Sequence, residues 1–561
     1  MLHGRTSPAA DPGACDTPPW RARAGAALVA GGVFCVHLLM VFAGGPVGLS
    51  EDEAYYWDWS RRPDICYYSK GPLTALLIRA GCAVFGDTVA GVRMPAVVLR
   101  LATAWCTWRL ALLLTRSHRT TACAVILTYA APLLLATGVV MTADPPFVFL
   151  WTLATLLFAM ALLECRRWAW VAAGAALGLS LLAKYAAPLW LVGAASMLVL
   201  DRRSRPMLTT RWPWIMLLCA LPFAMPLVWW NARHGWVSFR HVAEDAGLVA
   251  GTSTAANVID FWLGQAGVAG PLLFLAVCAA VVWAMRAAAS TPCAADKPDS
   301  RQAGVSVRRA LLFLLSTGLP LLVLTLASAF RKHASASWPA PAYISLLILT
   351  AWMLTRPAPD TSPAARRRQM FAWAVAAAGF LQGVVAHRPE LLYPAVAVLN
   401  AHVRSPIIDV RKLDPTLRLR GWTEVARRVD HLLQTMPPDT LLVAADYQTA
   451  AALAFHVAGQ PRTFCAGAYL SPAHREPFSQ YDIWPDRRLD REAAVRNGLA
   501  GRDALYIGPM DDNLAAGFSR FERCDDIVVR GGGVEIRRLT VWKCRGFRGL
   551  VWPGWQGRYN K

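Results

Sequence analysis

Long apolar runs separated by short polar gaps occupy the first two thirds of the chain, from about residue 24 to residue 388. Most of them approach the roughly twenty residues that an α-helix needs to cross the hydrocarbon core of a bilayer. The pattern predicts about eleven membrane-spanning helices, at 24–44, 91–115, 119–140, 144–164, 168–184, 185–200, 212–230, 261–285, 309–328, 337–355 and 369–388. The fifth and sixth runs are short, and the pattern leaves open whether they are two spans or one re-entrant hairpin.

The pattern changes near residue 405, where charged residues become more frequent and apolar runs shorten to the length of strands. This change predicts a small soluble α/β domain over 405–561, after a cytoplasmic N-terminus at 1–23 and a multi-spanning domain at 24–400. The predicted elements of the small domain are helices at 421–436 and 449–458, strands at 440–445 and 504–507, and a hairpin at 526–541. Cys524 and Cys544 flank the hairpin, and the sequence leaves a disulfide and two free thiols both open.

Composition and charge fit this layout. The chain has 561 residues, of which 55% are hydrophobic and 17% charged, and its mean hydropathy is +0.35. These values are typical of an integral membrane protein. The net charge of +21 would suggest nucleic-acid binding in a soluble protein, but the sequence has no stripe of basic and aromatic residues typical of such modules. We therefore do not expect a nucleic-acid partner.

The basic residues instead orient the predicted helices. With the N-terminus inside, every gap predicted to be cytoplasmic is basic, as the positive-inside tendency requires. These clusters are Arg116/Arg119, Arg166/Arg167, Arg202/Arg203/Arg205, Arg286/Arg308/Arg309 and Arg366/Arg367/Arg368. The opposite side, expected to be the periplasm, receives 45–90, 141–144, 231–260, 329–336 and everything after about residue 389.

Two acidic positions fall on the outer side. The run Glu51-Asp52-Glu53 directly follows the first helix, and Asp144 precedes two prolines at the start of the fourth. Helix capping explains each of them in isolation, because Ser50 with Glu53 matches the S-x-x-E capping box and Asp144 fits an N-cap. Two acids on one outer face also suit acid–base chemistry in a water-facing cleft. Asp52 and Asp144 are therefore the predicted catalytic residues.

A candidate anion site lies on the same side. Lys70 follows Tyr67 and Tyr68 and precedes a Gly-Pro turn, and the apolar stretch from there to Phe85 is too short to span a bilayer, which predicts a helix in the interface. A second basic group, Arg331-Lys332-His333, occurs where an outer gap meets a helix end. Solvated loop charge or head-group anchoring explains each cation singly; a shared anion site is the alternative.

The order of these motifs resembles that of a known superfamily. It is carried by Asp52-Glu53-Ala54-Tyr55-Tyr56-Trp57, Tyr67-Tyr68-Ser69-Lys70-Gly71-Pro72-Leu73, Phe85-Gly86-Asp87, Val92-Arg93-Met94-Pro95, Arg331-Lys332-His333, Trp338-Pro339-Ala340-Pro341-Ala342-Tyr343 and Ser479-Gln480-Tyr481-Asp482-Ile483-Trp484. They look like those of the bacterial glycosyltransferases related to protein O-mannosyltransferases, which include the lipid A aminoarabinose transferases and the rhizobial core galacturonosyltransferases. The resemblance covers nearly the whole chain, is strongest over 50–100, and implies the multi-spanning GT-C fold.

The resemblance implies an inverting transfer of a sugar from a polyprenyl-phosphate donor to an envelope acceptor, namely lipid A, core, another glycan or a protein. In this reading Asp52 matches the superfamily's catalytic Asp and Asp144 its second acid. Lys70 and Tyr67 match residues near the donor phosphate. The full set of predicted substrate-binding residues is Glu53, Tyr67, Tyr68, Lys70, Arg331, Lys332 and His333.

Two departures limit what the resemblance carries over. Ser69 stands where the aminoarabinose transferases have a metal-holding Glu, so we assign no metal site and leave a divalent cation open. The C-terminal domain also differs from those of the relatives, so the choice of acceptor does not carry over.

The residues fit this chemistry on their own terms. Asp52 can accept the proton of an attacking hydroxyl while Lys70 stabilises a phosphate leaving group. The chain has no Gly-rich phosphate loop, which agrees with a donor delivered by membrane lipid. The main alternative is a polytopic lipid or sugar transporter or flippase, which Lys184, between two short helices, suits best. A scaffold or binding protein is the third possibility, and it leaves the acidic loop without a role.

Overall fold

The computed structural model describes residues 19–42, 48–246, 255–290, 305–332, 334–356, 363–387, 398, 415–471, 478–531 and 534–552. His333 and the triple-glycine positions 532 and 533 lie outside these ranges. Helices dominate up to residue 387 and strands appear only after residue 440. The predicted mainly α architecture with a small C-terminal sheet is therefore confirmed.

Sixteen α-helices lie in the described part of the chain up to residue 387. They are α1 Pro19–Phe42, α2 Glu51–Ser60, α3 Leu73–Phe85, α4 Val89–Thr115, α5 His118–Ala130, α6 Pro132–Ala136, α7 Asp144–Leu163, α8 Arg167–Ala183, α9 Trp190–Leu200, α10 Trp212–Arg233, α11 Val237–Asp245, α12 Ala255–Ala269, α13 Pro271–Ser290, α14 Val307–Ala329, α15 Ala342–Thr355 and α16 Pro363–His387. Among the described helices, α1, α4, α7, α10, α13 and α14 are long and apolar enough to cross a membrane. The protein is a multi-pass membrane protein, and the figure of eleven spans stays a prediction.

Two predicted spans are broken helices. The run 119–140 divides at Ala131 and Pro132, because proline lacks the N–H that would continue the helix. The run 261–285 divides at Gly270, whose φ of 93° only glycine adopts easily, followed by Pro271. The helix is therefore interrupted within both predicted spans. The fifth and sixth predicted runs, 168–184 and 185–200, form the separate helices α8 and α9. Helix α9 packs mainly along α14.

The helices bring several chain segments to one end of the bundle. Since α7 and α8 are antiparallel neighbours, the start of α7 and the end of α8 lie together. At the other end, Arg309 at the start of α14 pairs with Asp201 after α9 at 2.9 Å. The segments predicted to be basic and cytoplasmic are thus separated from the acidic loop by the length of the bundle.

Glycines set the spacing between α8 and α10. A Cβ atom added to Gly174 would collide with the Met216 carbonyl oxygen, and one added to Gly178 would collide with the ring of Phe223. Small residues allow such close backbone approach inside a membrane, where van der Waals packing drives helix association. The two helices therefore pack as one unit.

The C-terminal part contains a five-stranded sheet in the order β2-β1-β3-β7-β4 and a separate hairpin of β5 and β6. The strands are β1 Leu441–Ala444, β2 Thr463–Cys465, β3 Ala504–Ile507, β4 Phe518–Arg523, β5 Ile527–Gly531, β6 Val534–Leu539 and β7 Val541–Phe547; its helices are α17 Trp422–Leu433, α18 Tyr447–His456, α19 Gln480–Ile483, α20 Arg491–Arg496 and α21 Asp512–Ala515. Strands β2, β1 and β3 are parallel, and β7 is antiparallel to both of its neighbours. The predicted helices, strands and hairpin of this region are confirmed, whereas β2, β4 and β7 were missed.

Cys524 and Cys544 are both free thiols. The N–H of Cys524 donates to the Val541 carbonyl on β7, three residues before Cys544. Three residues of strand span roughly 10 Å, which exceeds the Cα separation of about 7 Å that a disulfide tolerates. The strand register therefore opposes the disulfide that the sequence left open.

Candidate active site

The acidic loop forms the short helix α2, which begins with the predicted capping box. The Ser50 hydroxyl accepts from the Glu53 N–H at 3.2 Å, and the Glu53 carboxylate accepts from the Ser50 N–H at 2.9 Å. The same carboxylate accepts two hydrogen bonds from the Arg93 guanidinium, both at 2.8 Å, and one from the Met141 N–H at 2.9 Å. Burial alone raises the pKa of a carboxyl, but Arg93 and these donors outweigh it and lower the pKa of Glu53.

Glu53 therefore has four hydrogen-bond donors before any substrate arrives. This arrangement favours a structural role, because it ties α2 to α4 and to the turn that leads into α7. The assignment of Glu53 to substrate binding stays a prediction.

Asp52 lies on a different face of α2 and is only partly buried. Burial raises the pKa of Asp52 above its ordinary value, although the charges of Arg418 and Lys70 and a hydrogen bond with Gln448 act in the opposite direction. A raised pKa suits a carboxylate that must take up a proton during a reaction. The assignment of Asp52 as the general base stays a prediction.

Hydrogen bonds hold the loop that places Lys70 near Asp52. The Tyr67 N–H donates to the Lys70 carbonyl at 3.0 Å, and the Ser238 hydroxyl donates to the Tyr67 carbonyl at 3.1 Å. Gly71 packs against the end of α8, where a Cβ atom would collide with the Leu182 carbonyl. This close approach sets Lys70 beside Lys184.

The surroundings of Lys70 weaken its hold on its proton. Burial, followed by the charge of Lys184, lowers the pKa of Lys70 to about 8, while Asp245, Asp144 and Asp52 act in the opposite direction. Lys70 is therefore a cation near neutral pH whose charge responds to its neighbours.

Tyr67 and Tyr68 are buried beside Lys70. The Tyr67 hydroxyl lies 3.0 Å from the Arg62 carbonyl and 3.1 Å from the Trp59 carbonyl, and accepts from the Asp64 N–H at 3.1 Å. The N–H of Tyr68 donates to Gln480 at 2.7 Å, and its ring contacts that of His241. Contact of either tyrosine with substrate stays a prediction.

Asp144 forms the first turn of α7 and pairs with Lys184, the residue after α8, at 2.7 Å. Both side chains are largely buried, with exposed fractions of 21% and 14%. Lys184, the residue that best suited a transporter, is thus the ion-pair partner of the second predicted acid. The sequence reasoning did not predict this pair.

The segment 331–333 is only partly brought to the site. Lys332 donates to the Glu244 carbonyl at 3.0 Å and lies 3.9 Å from the Asp245 carboxylate, whose charge also acts on Lys70. Arg331 is exposed, and His333 lies outside the described residues. Lys70 and Lys332 thus share Asp245 as a neighbour, and a shared anion site stays a prediction.

Sequence reasoning missed the contribution of the C-terminal region. Gln448 and Tyr447 begin α18, and Arg418 lies in a short 3₁₀ segment, Pro415–Leu419. The Tyr447 ring lies 4.7 Å from that of Tyr55 on α2, so this region contacts the acidic loop directly. No periodicity or motif in the sequence marks these residues as neighbours of Asp52, which lies more than 350 positions away.

Within the described ranges, no three His, Cys, Asp or Glu side chains lie close enough together to hold a metal ion. The carboxylates of the site are instead surrounded by cations: Lys70, Lys184 and Arg418. This arrangement suits an anionic ligand.

The chain resembles known proteins in both sequence and fold. The profile described as dolichyl-phosphate-mannose-protein mannosyltransferase matches residues 69–230. Two structures of ArnT from Cupriavidus metallidurans, one apo and one bound to undecaprenyl phosphate, align with TM-scores of 0.55 and 0.58, each at 16% identity and covering 93% of this chain and 98% of theirs. The chain therefore has the fold of ArnT, and part of it matches this mannosyltransferase family.

A curated relative agrees with this resemblance. The lipid A galacturonosyltransferase RgtD of Rhizobium johnstonii is 28% identical over 309 residues, which are 54% of this chain and 60% of the relative. The match thus spans less than two thirds of that relative. The superfamily predicted from the motifs is confirmed.

Proposed function

We propose that this GT-C protein transfers a sugar from a polyprenyl-phosphate donor to lipid A or another envelope glycan, with inversion at the anomeric carbon. The observation that carries the proposal is Asp52, a partly buried carboxylate of raised pKa set among Lys70, Arg418 and Gln448. Such an arrangement combines a base with cations that can hold a phosphate.

The proposed reaction is a single displacement. Asp52 takes the proton of the acceptor hydroxyl as its oxygen bonds to the anomeric carbon. The bond between that carbon and the phosphate oxygen breaks, and its electron pair leaves with the polyprenyl phosphate. Lys70, with Lys332 nearby, stabilises the leaving anion, which needs no proton at neutral pH. The Asp144–Lys184 pair orients the reactants.

The comparisons support both substrates. ArnT of Cupriavidus metallidurans has been solved with undecaprenyl phosphate, and RgtD is described as acting on lipid A. Carried over to this chain, these descriptions suggest a polyprenyl carrier and a lipid A or glycan acceptor. The apolar helices beside Lys70 offer the surface along which a prenyl chain can lie.

We also propose the location. The basic segments at the end of the bundle away from Asp52 suggest the cytoplasmic face, which makes the catalytic end periplasmic in a cytoplasmic membrane. The C-terminal region over 405–561 is then a periplasmic domain that covers the catalytic loop of the domain at 24–400.

The test is transfer by the purified chain in lipid nanodiscs. Undecaprenyl-phosphate sugars are supplied one at a time with lipid A, and mass spectrometry detects the product. Wild type is expected to add one sugar, and Asp52→Asn to lose this activity. Asp64→Asn is the matched control: it lies in the same outer loop, and its shorter hydrogen bond, accepted from the Ile65 N–H at 2.7 Å, can be kept by the amide oxygen.

Two outcomes would contradict the proposal. Equal activity in wild type and Asp52→Asn would remove Asp52 from the reaction. In sealed vesicles that contain the protein, movement of the lipid-linked sugar across the membrane without any transfer would favour the flippase alternative.

A further inference from the structure

Residues 415–420 of the C-terminal region are held near the first turn of α2, and we call this segment the strap. Arg537 on β6 holds it in place through hydrogen bonds. Arg537 donates to the Arg420 carbonyl at 2.7 Å, to the Arg418 carbonyl at 3.0 Å and to the Leu417 carbonyl at 3.2 Å. Three main-chain bonds to one guanidinium fix the course of the strap.

The same guanidinium joins the strap to the acidic loop. Arg537 pairs with Glu51, the residue before Asp52, at 2.8 Å, and it stacks 4.0 Å over the ring of Trp422. Both members of the ion pair are largely buried, with exposed fractions of 14% and 11%. A planar guanidinium can make all these contacts at once, whereas an ammonium cannot.

The contacts of Arg537 with the strap and with Glu51 hold the backbone of Arg418 near the site. Its charge acts on both Asp52 and Glu51. The Arg418 side chain is exposed, and among the described residues it forms no ion pair within 4 Å.

The other cations of the site differ from Arg418. Lys184 is paired with Asp144 at 2.7 Å, Lys332 lies near Asp245, and Lys70 is enclosed among carboxylates. These cations belong to the membrane domain, where the lipid-linked donor must enter. Arg418 instead comes from the region after residue 405, and its charge acts on the proposed base.

We propose that Arg418 binds an anionic group of the acceptor, a phosphate or a carboxylate next to the hydroxyl that Asp52 deprotonates. The inference rests on the proposed transferase function and narrows its acceptor to an anionic glycan or glycolipid. A guanidinium offers paired donors that match both oxyanions. Binding there holds the acceptor hydroxyl beside Asp52, and Arg537 acts as a positioning residue through the strap.

The experiment compares acceptors that differ only in charge. The probes are lipid A with its phosphates, dephosphorylated lipid A, and dephosphorylated lipid A bearing Kdo residues, which restore negative charge as carboxylates. Wild type is expected to prefer a charged probe by about 10- to 100-fold in kcat/KM, the value of a charge-assisted hydrogen bond. The probe that is preferred identifies the source of the charge.

Variants assign the preference to the strap. Arg418→Gln is expected to abolish the preference by raising KM for the charged acceptor while KM for the donor stays constant. Arg427→Gln, which removes an exposed arginine from nearby α17, is the control and is expected to keep it. Arg537→Lys keeps the charge opposite Glu51 but not the three carbonyl contacts, so it should weaken the preference without abolishing transfer.

The outcomes separate the two proposals. Absence of transfer by wild type to every probe would refute the proposed function and this inference with it. Transfer that ignores acceptor charge, or a preference that survives Arg418→Gln, would overturn only the role of Arg418. Thermal unfolding of Arg418→Gln at the wild-type temperature shows that the exposed substitution has left the fold intact.

Discussion

Asp52 and Glu53 are neighbours on one helix and have opposite surroundings. Glu53 faces α4 and accepts four hydrogen bonds, which lower its pKa. At Asp52, burial outweighs the cationic neighbours Arg418 and Lys70 and raises the pKa. Of these two adjacent carboxylates, Glu53 stabilises the fold and Asp52 remains available for chemistry.

The same contrast holds for the regions around them. On the side toward the C-terminal sheet, Asp58 is fully buried and accepts from the Tyr481 hydroxyl at 2.9 Å, with Arg487 at 3.5 Å. On the side toward Asp144 and Lys184, Lys70 has charged neighbours of both signs and a pKa that has moved toward neutrality. Buried ion pairs and hydrogen bonds thus mark the framework, and a shifted pKa among charges of both signs marks the site.

The largest expected effects are a loss of activity in Asp52→Asn and a loss of stability in Glu53→Gln. Asp52→Asn should lower the transfer rate by about 10³-fold, within the range for general bases, and leave the unfolding temperature almost unchanged. Glu53→Gln should destabilise the fold by about 3–5 kcal/mol, because it leaves Arg93 buried without its counter-charge. Initial rates and thermal unfolding in detergent measure the two effects.

A double variant tests the reason given for Glu53. Replacing both members of the pair, as in Glu53→Gln with Arg93→Met, removes the unpaired charge and should restore part of the stability. If Asp52→Asn unfolds the protein as readily as Glu53→Gln, the contrast between the two acids is wrong.

The pair Asp144–Lys184 lies between these extremes, since it is well paired but partly exposed. Lys184→Met should lower kcat/KM by about 10- to 100-fold, the value of a hydrogen bond between charged groups, and Lys184→Arg should retain most of the activity. In an Asp144→Asn background the loss of Lys184 should cost much less, because the interaction is already gone. Fully additive effects would show that the two residues act separately.

The pH dependence should reveal Lys70. Because its pKa is lowered to about 8, its charge is present at neutral pH and is lost as the pH rises through that value. The kcat/KM for the lipid-linked donor should therefore fall roughly tenfold per pH unit above pH 8. Lys70→Arg should move this limb beyond pH 10, since a guanidinium stays protonated. A limb that is unchanged in Lys70→Arg would assign it to another group.

The smallest effect is expected for Tyr67→Phe. Its hydroxyl contacts three main-chain groups of the loop, so its loss should cost about 1 kcal/mol of stability and change the transfer rate by less than about threefold. A tenfold rise in the donor KM would instead show that the hydroxyl reaches the phosphate, as the resemblance implies.

The sequence predicted those parts of the molecule that depend on local pattern. Apolar runs located most helices, the capping box located the start of α2, and the motifs around Asp52 and Lys70 gave the superfamily. The breaks at Ala131 and Gly270 were readable from the adjoining prolines, but the length of the apolar runs concealed them. Local signals fail where two features of the same segment disagree.

The remainder depends on contacts that are distant in sequence. Arg418 and Gln448 act on Asp52, and Gln480 bonds to Tyr68, across more than 350 positions. The role of Asp245, next to Lys70, depends on how the segment after α10 folds back. Such pairings follow from tertiary packing, which hydropathy and motif spacing do not encode.

The close packing of Gly174 and Gly178 against α10 has a consequence for the charges outside the membrane. Gly178 lies six residues before Lys184, or about 9 Å along the helix axis. Helix α8 leads to Lys184, and α10 leads through α11 to Asp245. A methyl group added at Gly178 would act as a wedge in the lipid-embedded stretch and spread these two charges apart at the surface. The distance between Lys184 and Asp245, the charged neighbours of Lys70, therefore depends in part on the absence of a Cβ atom at Gly178.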